Sequence, residues 1–225
     1  MRPLFSPGIR RMTELRITEI FHSLQGEAVT VGLPTVFVRL TGCPLRCQYC
    51  DSEYAFFGGE KITVDEIVAR VAAYECKLVC VTGGEPLAQP NCLTLLNTLC
   101  DEGFIVSLET SGAMDISAVD SRVSVVMDLK TPGSGEQARN RLENIPLLRL
   151  KDQLKFVLCS RDDYEWARFM LDQYSLSHRV GEILFSPSYE QLPPAHLAQW
   201  ILEDKLAVRF QLQLHKQLWG EKPGV

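Results

Sequence analysis

From residue 35 to residue 214 the chain alternates two kinds of segment, and this alternation limits the possible folds more than any other feature. Short runs rich in β-branched and aromatic residues read as strands at Thr35–Leu40 (TVFVRL), Leu78–Thr82 (LVCVT), Phe104–Glu109, Ser124–Leu129, Gln153–Leu158 (QLKFVL) and Ile183–Ser186. Stretches with helical spacing of apolar residues separate them: Thr63–Glu75, Asn91–Glu102, Asp162–Gln173 and Pro193–Asp204. Thr63 suits the N-cap of the first helix with Glu66 at the capping-box position, and Gly103 stops the second. Glu14–Phe21 predicts an earlier strand followed by a turn at Leu24-Gln25-Gly26-Glu27, and the alternating Val208–Leu214 (VRFQLQL) predicts a closing strand. Residues 131–151 open with Pro132-Gly133-Ser134-Gly135, are rich in charge, and read as a mobile loop plus a short helix. This order predicts a parallel α/β sheet with right-handed crossovers and a site at the carboxyl ends of its strands. The 225 residues suffice for one sizeable core. The expected organisation is a flexible extension at 1–13, with Met12 as an alternative start, and a single domain at 14–225.

Composition narrows the partners. A net charge of -5 does not suggest a duplex-binding surface, so no nucleic-acid partner is expected. No apolar run approaches the roughly 20 residues of a membrane span. The opening MRPLFSPGIRRM lacks the apolar stretch and cleavage site of a secretory signal. The expectation is a cytoplasmic protein with no membrane partner, whose eight cysteines are reduced thiols. Cys76, Cys80, Cys92, Cys100 and Cys159 read as buried small hydrophobes.

The remaining three crowd into eight residues, Cys43-Pro-Leu-Arg-Cys47-Gln-Tyr-Cys50, directly after the TVFVRL strand. Three thiolates at this spacing can hold three irons of a 4Fe-4S cubane and leave the fourth open to an external ligand. The amino and carboxylate groups of S-adenosylmethionine (SAM) can fill that place, and an electron from the cluster then cleaves the sulfonium to a 5′-deoxyadenosyl radical. A zinc module is the competing reading, but zinc takes four ligands and no further Cys or His lies close in sequence.

With Tyr49 before the last cysteine, and Gly83-Gly84-Glu85-Pro86 ending the next strand, the chain resembles the radical SAM superfamily. That resemblance implies a partial, incomplete TIM-like βα barrel. Ser23-Leu24-Gln25-Gly26-Glu27, Arg39, Thr82, Glu109-Thr110-Ser111-Gly112 and Leu214-His215-Lys216 narrow it further, to the 7-carboxy-7-deazaguanine synthase family of queuosine and 7-deazapurine biosynthesis. The implied reaction is a ring contraction of 6-carboxy-5,6,7,8-tetrahydropterin to 7-carboxy-7-deazaguanine with loss of ammonia. It would use the cluster, SAM and a magnesium ion, with no catalytic side chain beyond these cofactors.

Carried over residue by residue, the resemblance implies that Cys43, Cys47 and Cys50 hold the cluster and that Ser52, where members often carry threonine, ligates magnesium. Leu24, Gln25, Gly26, Arg39 and Thr82 would contact the substrate, with Arg39 suited to its carboxylate. Gly84, Ser111 and Lys130 would contact SAM. Asp128-Leu129-Lys130 stands where some members read Ser-Pro-Lys, so only Lys130 is carried over there. A homodimer and a flavodoxin or ferredoxin as electron donor are also implied. Another radical SAM enzyme, such as a glycyl-radical activase, would share the cysteines and GGEP but would not need the SLQGE turn or Arg39.

Overall fold

The computed structural model describes residues 13–220, 222 and 224, so the expected extension at 1–13 lies outside the described residues apart from Thr13. Nine strands form one sheet: β1 (Glu14–Leu24), β2 (Pro34–Leu40), β3 (Glu60–Thr63), β4 (Leu78–Gly83), β5 (Ile105–Thr110), β6 (Ser124–Asp128), β7 (Gln153–Leu158), β8 (Glu182–Pro187) and β9 (Arg209–Phe210). The helices are α1 (Val64–Ala72), α2 (Cys92–Asp101), α3 (Arg161–Gln173), α4 (Pro194–Glu203) and α5 (Leu214–Trp219). Strand order is β3-β1-β2-β4-β5-β6-β7-β8-β9, and the sheet is not closed, as a partial TIM-like barrel requires.

From β2 onward through β4 to β9 every pairing is parallel, as the alternation of elements predicts. The first edge departs from that expectation. β1 runs antiparallel to both β2 and β3, because the nine residues between β1 and β2 are too few for a crossover. Instead Gln25 N donates to Leu33 O at 2.9 Å and the chain doubles back. The parallel strands carry the core, with Val36, Val38, Val81, Leu108, Met127, Leu154 and Phe156 buried on their faces. Thr63 caps α1 by accepting from Glu66 N at 3.2 Å, and Ser160 caps α3. Among the described residues no helix is long and apolar enough to cross a membrane.

Three further expectations are corrected. Residues 131–151 form three short 3-10 turns, at Pro132–Ser134, Gln137–Arg139 and Leu142–Leu147, packed by buried Ile145 and Asn144. The Asn144 amide donates to Gly112 O and Met114 O and its oxygen accepts from Ile116 N, so side-chain bonds supply the order that no regular element provides. Of VRFQLQL only Arg209–Phe210 pairs as strand. Leu214 begins α5, and buried Gln211 turns inward to bond Ala28 through both its amide atoms. Of the five remaining cysteines only Cys80 and Cys92 are fully buried; Cys76, Cys100 and Cys159 are half-buried.

Candidate active site

A cavity of about 420 Å³ opens where the carboxyl ends of β2, β4, β5 and β6 meet β7. All twelve residues singled out from the sequence line it: Leu24, Gln25, Gly26, Arg39, Cys43, Cys47, Cys50, Ser52, Thr82, Gly84, Ser111 and Lys130.

The cysteine loop leaves β2 and is braced from three directions. Gly42 N donates to Ala55 O at 2.8 Å and Gln48 N to Ser134 O at 3.0 Å. Arg46 N donates to Glu136 Oε1 at 2.6 Å. The 131–151 segment is therefore a buttress for this loop. The three thiols are free and half-buried, and burial pushes all of them up, Cys47 to about 11. Among the described residues no group of three His, Cys, Asp or Glu converges on a point where one ion would sit. A cubane asks something different, since each thiolate takes its own iron. Three unpaired thiols from one short loop, facing a cavity beside polar strand ends, fit such a cluster.

The GGEP segment is zipped to the start of this loop. Gly84 N donates to Leu40 O at 3.1 Å and Glu85 N to Gly42 O at 2.8 Å. A side chain on Gly84 would stand 2.3 Å from Gly42 O and 2.8 Å from Cys43 Cβ, so glycine is required here by the loop itself. Glu85 is fully buried and satisfied: it accepts from Thr110 Oγ1, from Leu87 N at 3.0 Å, and from Ser111 through both its N (2.7 Å) and its Oγ (2.5 Å). One carboxylate thus joins the ends of β4 and β5. The Ser111 hydroxyl hydrogen is committed to Glu85, which leaves its oxygen as an acceptor.

Lys130 is buried, 2.9 Å from Asp128 Oδ2 and 5.6 Å from the Tyr49 ring centroid. Burial alone would lower the Lys130 ammonium; Asp128, with Tyr49 and Cys47 beside it, outweighs burial and holds the group charged. Two buried polar atoms, Tyr49 OH and Asp128 Oδ1, have no partner among the described residues, and both residues line the cavity. Unpaired polar atoms at a cavity wall suit a polar ligand.

On the opposite wall Glu109 accepts from Gln25 Nε2 at 3.3 Å and from Thr82 Oγ1 at 3.1 Å, and burial followed by nearby Glu27 pushes its carboxyl up. Glu27 forms a close ion pair with Lys155 and accepts from Gln213 Nε2 at 2.8 Å. Burial alone would raise Glu27; Lys155, with His215 beyond it, outweighs burial and holds the carboxyl below its usual range. Arg39 is not the lone arginine its sequence neighbours suggest: its Nε donates to Glu19 Oε1 at 2.7 Å, and Tyr54 OH donates to the same oxygen at 2.8 Å. That fixes the guanidinium while leaving its two terminal nitrogens as the remaining donors. Ser52 Oγ donates to Asp51 Oδ1 at 2.8 Å, and His215 Nε2 lies 3.7 Å from Asp51 Oδ2. A Cβ at Gly26 would meet His215 Nδ1 at 2.2 Å, so the histidine packs directly on the Leu24–Glu27 turn.

Sequence reading missed Lys155, Gln211 and Gln213. Lys155 carries the same signal as Arg39, a cation inside an apolar parallel strand, and was legible on that ground.

Comparison with known proteins gives the family of the chain. The family model described as the radical SAM superfamily matches residues 37–130. The 7-carboxy-7-deazaguanine synthase of Koribacter versatilis is 43% identical over 91% of this chain and 97% of that protein. The enzyme of the same name from Chlorobaculum tepidum is 43% identical over 92% and 94%. Among solved structures, QueE from Escherichia coli superposes with a TM-score of 0.70 at 22% identity, covering 90% of this chain and 95% of that one, a likeness of fold.

Proposed function

Because the chain belongs to the 7-carboxy-7-deazaguanine synthase family of the radical SAM superfamily, we propose a part for each wall of its cavity in that family's reaction. The protein is a radical SAM lyase that makes 7-carboxy-7-deazaguanine and works with a 4Fe-4S cluster and SAM. Cys43, Cys47 and Cys50 would hold the cluster, which with SAM on its open iron supplies a 5′-deoxyadenosyl radical.

The remaining work falls to the chain's own side chains. Gly84, Ser111 and Lys130 form the SAM wall: the Ser111 oxygen suits the amino group, and the Lys130 ammonium suits the carboxylate. Leu24, Gln25, Gly26, Arg39 and Thr82 form the substrate wall for 6-carboxy-5,6,7,8-tetrahydropterin. The terminal nitrogens of Arg39 suit the substrate carboxylate. Glu109, fixed by Gln25 and Thr82, keeps acceptor capacity for the N–H donors of the pterin's amino-oxo edge. Ser52 offers a hydroxyl oxygen to magnesium, and with one protein ligand the ion depends on substrate and water.

A homodimer, a flavodoxin or ferredoxin as electron donor, a cytoplasmic location, no nucleic-acid partner and a single domain at 14–225 complete the proposal. The continuous sheet from β3 to β9 supports the last of these.

The observation that carries the residue assignment is the convergence of three free thiols, two arrays of fixed polar groups and all twelve sequence-derived residues on one cavity. The test is anaerobic incubation with the carboxytetrahydropterin, SAM, magnesium and a reductant. Formation of 7-carboxy-7-deazaguanine is expected. SAM cleavage without that product would turn the assignment toward another radical SAM reaction, such as glycyl-radical activation.

A further inference from the structure

We propose that the exposed turn around Phe57 is the docking surface for a small acidic electron-carrier protein, an inference that rests on reading Cys43, Cys47 and Cys50 as the cluster loop. Phe57 is 75% exposed, more than any other described aromatic side chain. Its neighbour Phe56 lines the cavity. The Arg46 guanidinium stands over both rings, 4.2 Å from the Phe56 centroid and 5.9 Å from that of Phe57. From Nη1 the same guanidinium donates to Cys43 O at 2.8 Å and Leu45 O at 2.6 Å. An aromatic-guanidinium stack therefore runs from the outer surface to the backbone of the cysteine loop.

The turn is held rather than loose. Gly58 and Gly59 both take left-handed conformations, at φ of 79° and 71°. A side chain on Gly59 would stand 2.1 Å from Thr41 Oγ1 and 2.8 Å from Ile17 O. Arg16 Nη1 donates to Gly58 O at 2.9 Å and Gly59 O at 3.2 Å. A rigidly presented aromatic loses little freedom on docking, which is what makes such residues effective anchors.

Charge gives the partner its sign. Arg16 and Arg46 are exposed on either side of the turn, and among the described residues neither makes an ion pair; their guanidinium donors go to backbone carbonyls. Of the acids beside the turn, Glu60 pairs with Arg70 and Glu136 accepts from Arg46 N, while exposed Glu53 is set against exposed Lys61, the strand partner of Arg16. In a chain of net charge -5, two cations free of ion pairs and flanking an exposed ring favour an acidic partner at this turn. A one-electron carrier meets the requirement, because electron transfer between proteins falls steeply with distance and the carrier must approach the cysteine loop. The carrier loses the electron and the cluster gains it. Redox encounters of this kind use small interfaces, so a patch centred on one ring is sufficient.

Calorimetric titration of the anaerobically purified enzyme with oxidised flavodoxin, and separately with oxidised ferredoxin, tests this. The parent should bind one of them, less tightly as salt is raised. Phe57→Ser should weaken that binding by about tenfold, and raise the carrier's apparent KM alike, while Phe57→Tyr preserves both. Turnover driven by dithionite should not change in either variant. Arg16→Gln should reduce the salt dependence. Parent-like carrier binding by Phe57→Ser overturns the proposal, as does a parent that binds neither carrier. A Phe57→Ser protein whose own sedimentation shifts, with carrier binding intact, assigns the turn to a second copy and overturns it too. Failure of the parent to convert the pterin with dithionite would sink the functional reading instead, and the binding titration would still decide the docking surface.

Discussion

Replacing Lys155 with methionine tests the electrostatics of the proposed substrate wall. Methionine keeps most of the side-chain volume and removes the ammonium, leaving Glu27 buried beside no formal cation except a protonated His215. The two side chains of the pair are 11% and 9% exposed, so solvent cannot take over the lost interaction. Breaking a buried pair from one side costs about 3–5 kcal/mol. Gln213 still donates to Glu27 at 2.8 Å, which places the expected loss near the lower end, about 3 kcal/mol at pH 7.5.

The pH dependence carries the sharper test. In the parent, Glu27 lies below its unfolded value, so its contribution is present above that value and is lost only in acid. Lys155 lies above its unfolded value, so its contribution is present at neutral pH and is lost only in strong base. The pair is therefore flat between pH 5 and 8. Without Lys155 the sign at Glu27 reverses, because burial is the largest influence on it and raises its pKa. The variant should recover relative to the parent as pH falls, by up to about 1.4 kcal/mol per unit while Glu27 takes up its proton. Equilibrium urea unfolding under anaerobic conditions, at matched iron content and across this pH range, measures it. The double variant Glu27→Gln/Lys155→Met removes the stranded Glu27 charge and leaves Glu109 as a carboxyl that Lys155 also supported, so it should be more stable than Lys155→Met alone and less stable than the parent. A loss below about 1 kcal/mol, or one that does not change with pH, would refute the reasoning.

Four further outcomes are expected. Cys50→Ala should abolish SAM cleavage and lower iron content, whereas Cys76→Ala, outside the cavity, should cleave SAM near the parent rate. Gly84→Ala forces a methyl group against Gly42 O and Cys43 Cβ, and should cost about 1–3 kcal/mol of stability in thermal melts along with iron retention. Arg39→Lys keeps the charge but loses both the fork and the Nε bond to Glu19; pterin turnover should fall roughly 10–100-fold, a loss of about 1.5–3 kcal/mol, with iron content unchanged. Ser52→Ala should weaken the magnesium dependence of turnover while SAM cleavage without product persists; equal magnesium stimulation in parent and variant would remove Ser52 from the site.

Much of this was legible because the relevant signals are local. A β-branched strand running into Cys43, a glycine pair ending LVCVT, and the Thr63 cap of α1 each depend on neighbours within a few residues. What escaped is set by contacts between distant segments. Strand direction at the first edge depends on the length of the loop after Leu24, and β3 is only four residues long, recognisable through its pairing with Glu14–Ile17. The alternation in VRFQLQL is real, but it serves to aim Gln211 and Gln213 at Ala28 and Glu27 rather than to extend a strand. The order in 131–151 comes from Asn140 and Asn144 bonding backbone groups that no pattern of hydrophobicity reveals.

The bond between Gln211 and Ala28 joins residues 183 positions apart. As the chain leaves the ribosome, the cysteine loop and the GGEP and ETSG ends come out together, within the first 112 residues. The SLQGE turn emerges earlier still, yet its clasp, Gln211 and Gln213 with the His215 ring packed on Gly26, is among the last segments made. Lys130 and the 131–151 buttress of the cysteine loop follow next, so a nascent chain can complete the cysteine-bearing half of the cavity well before the half that Gln211, Gln213 and His215 close.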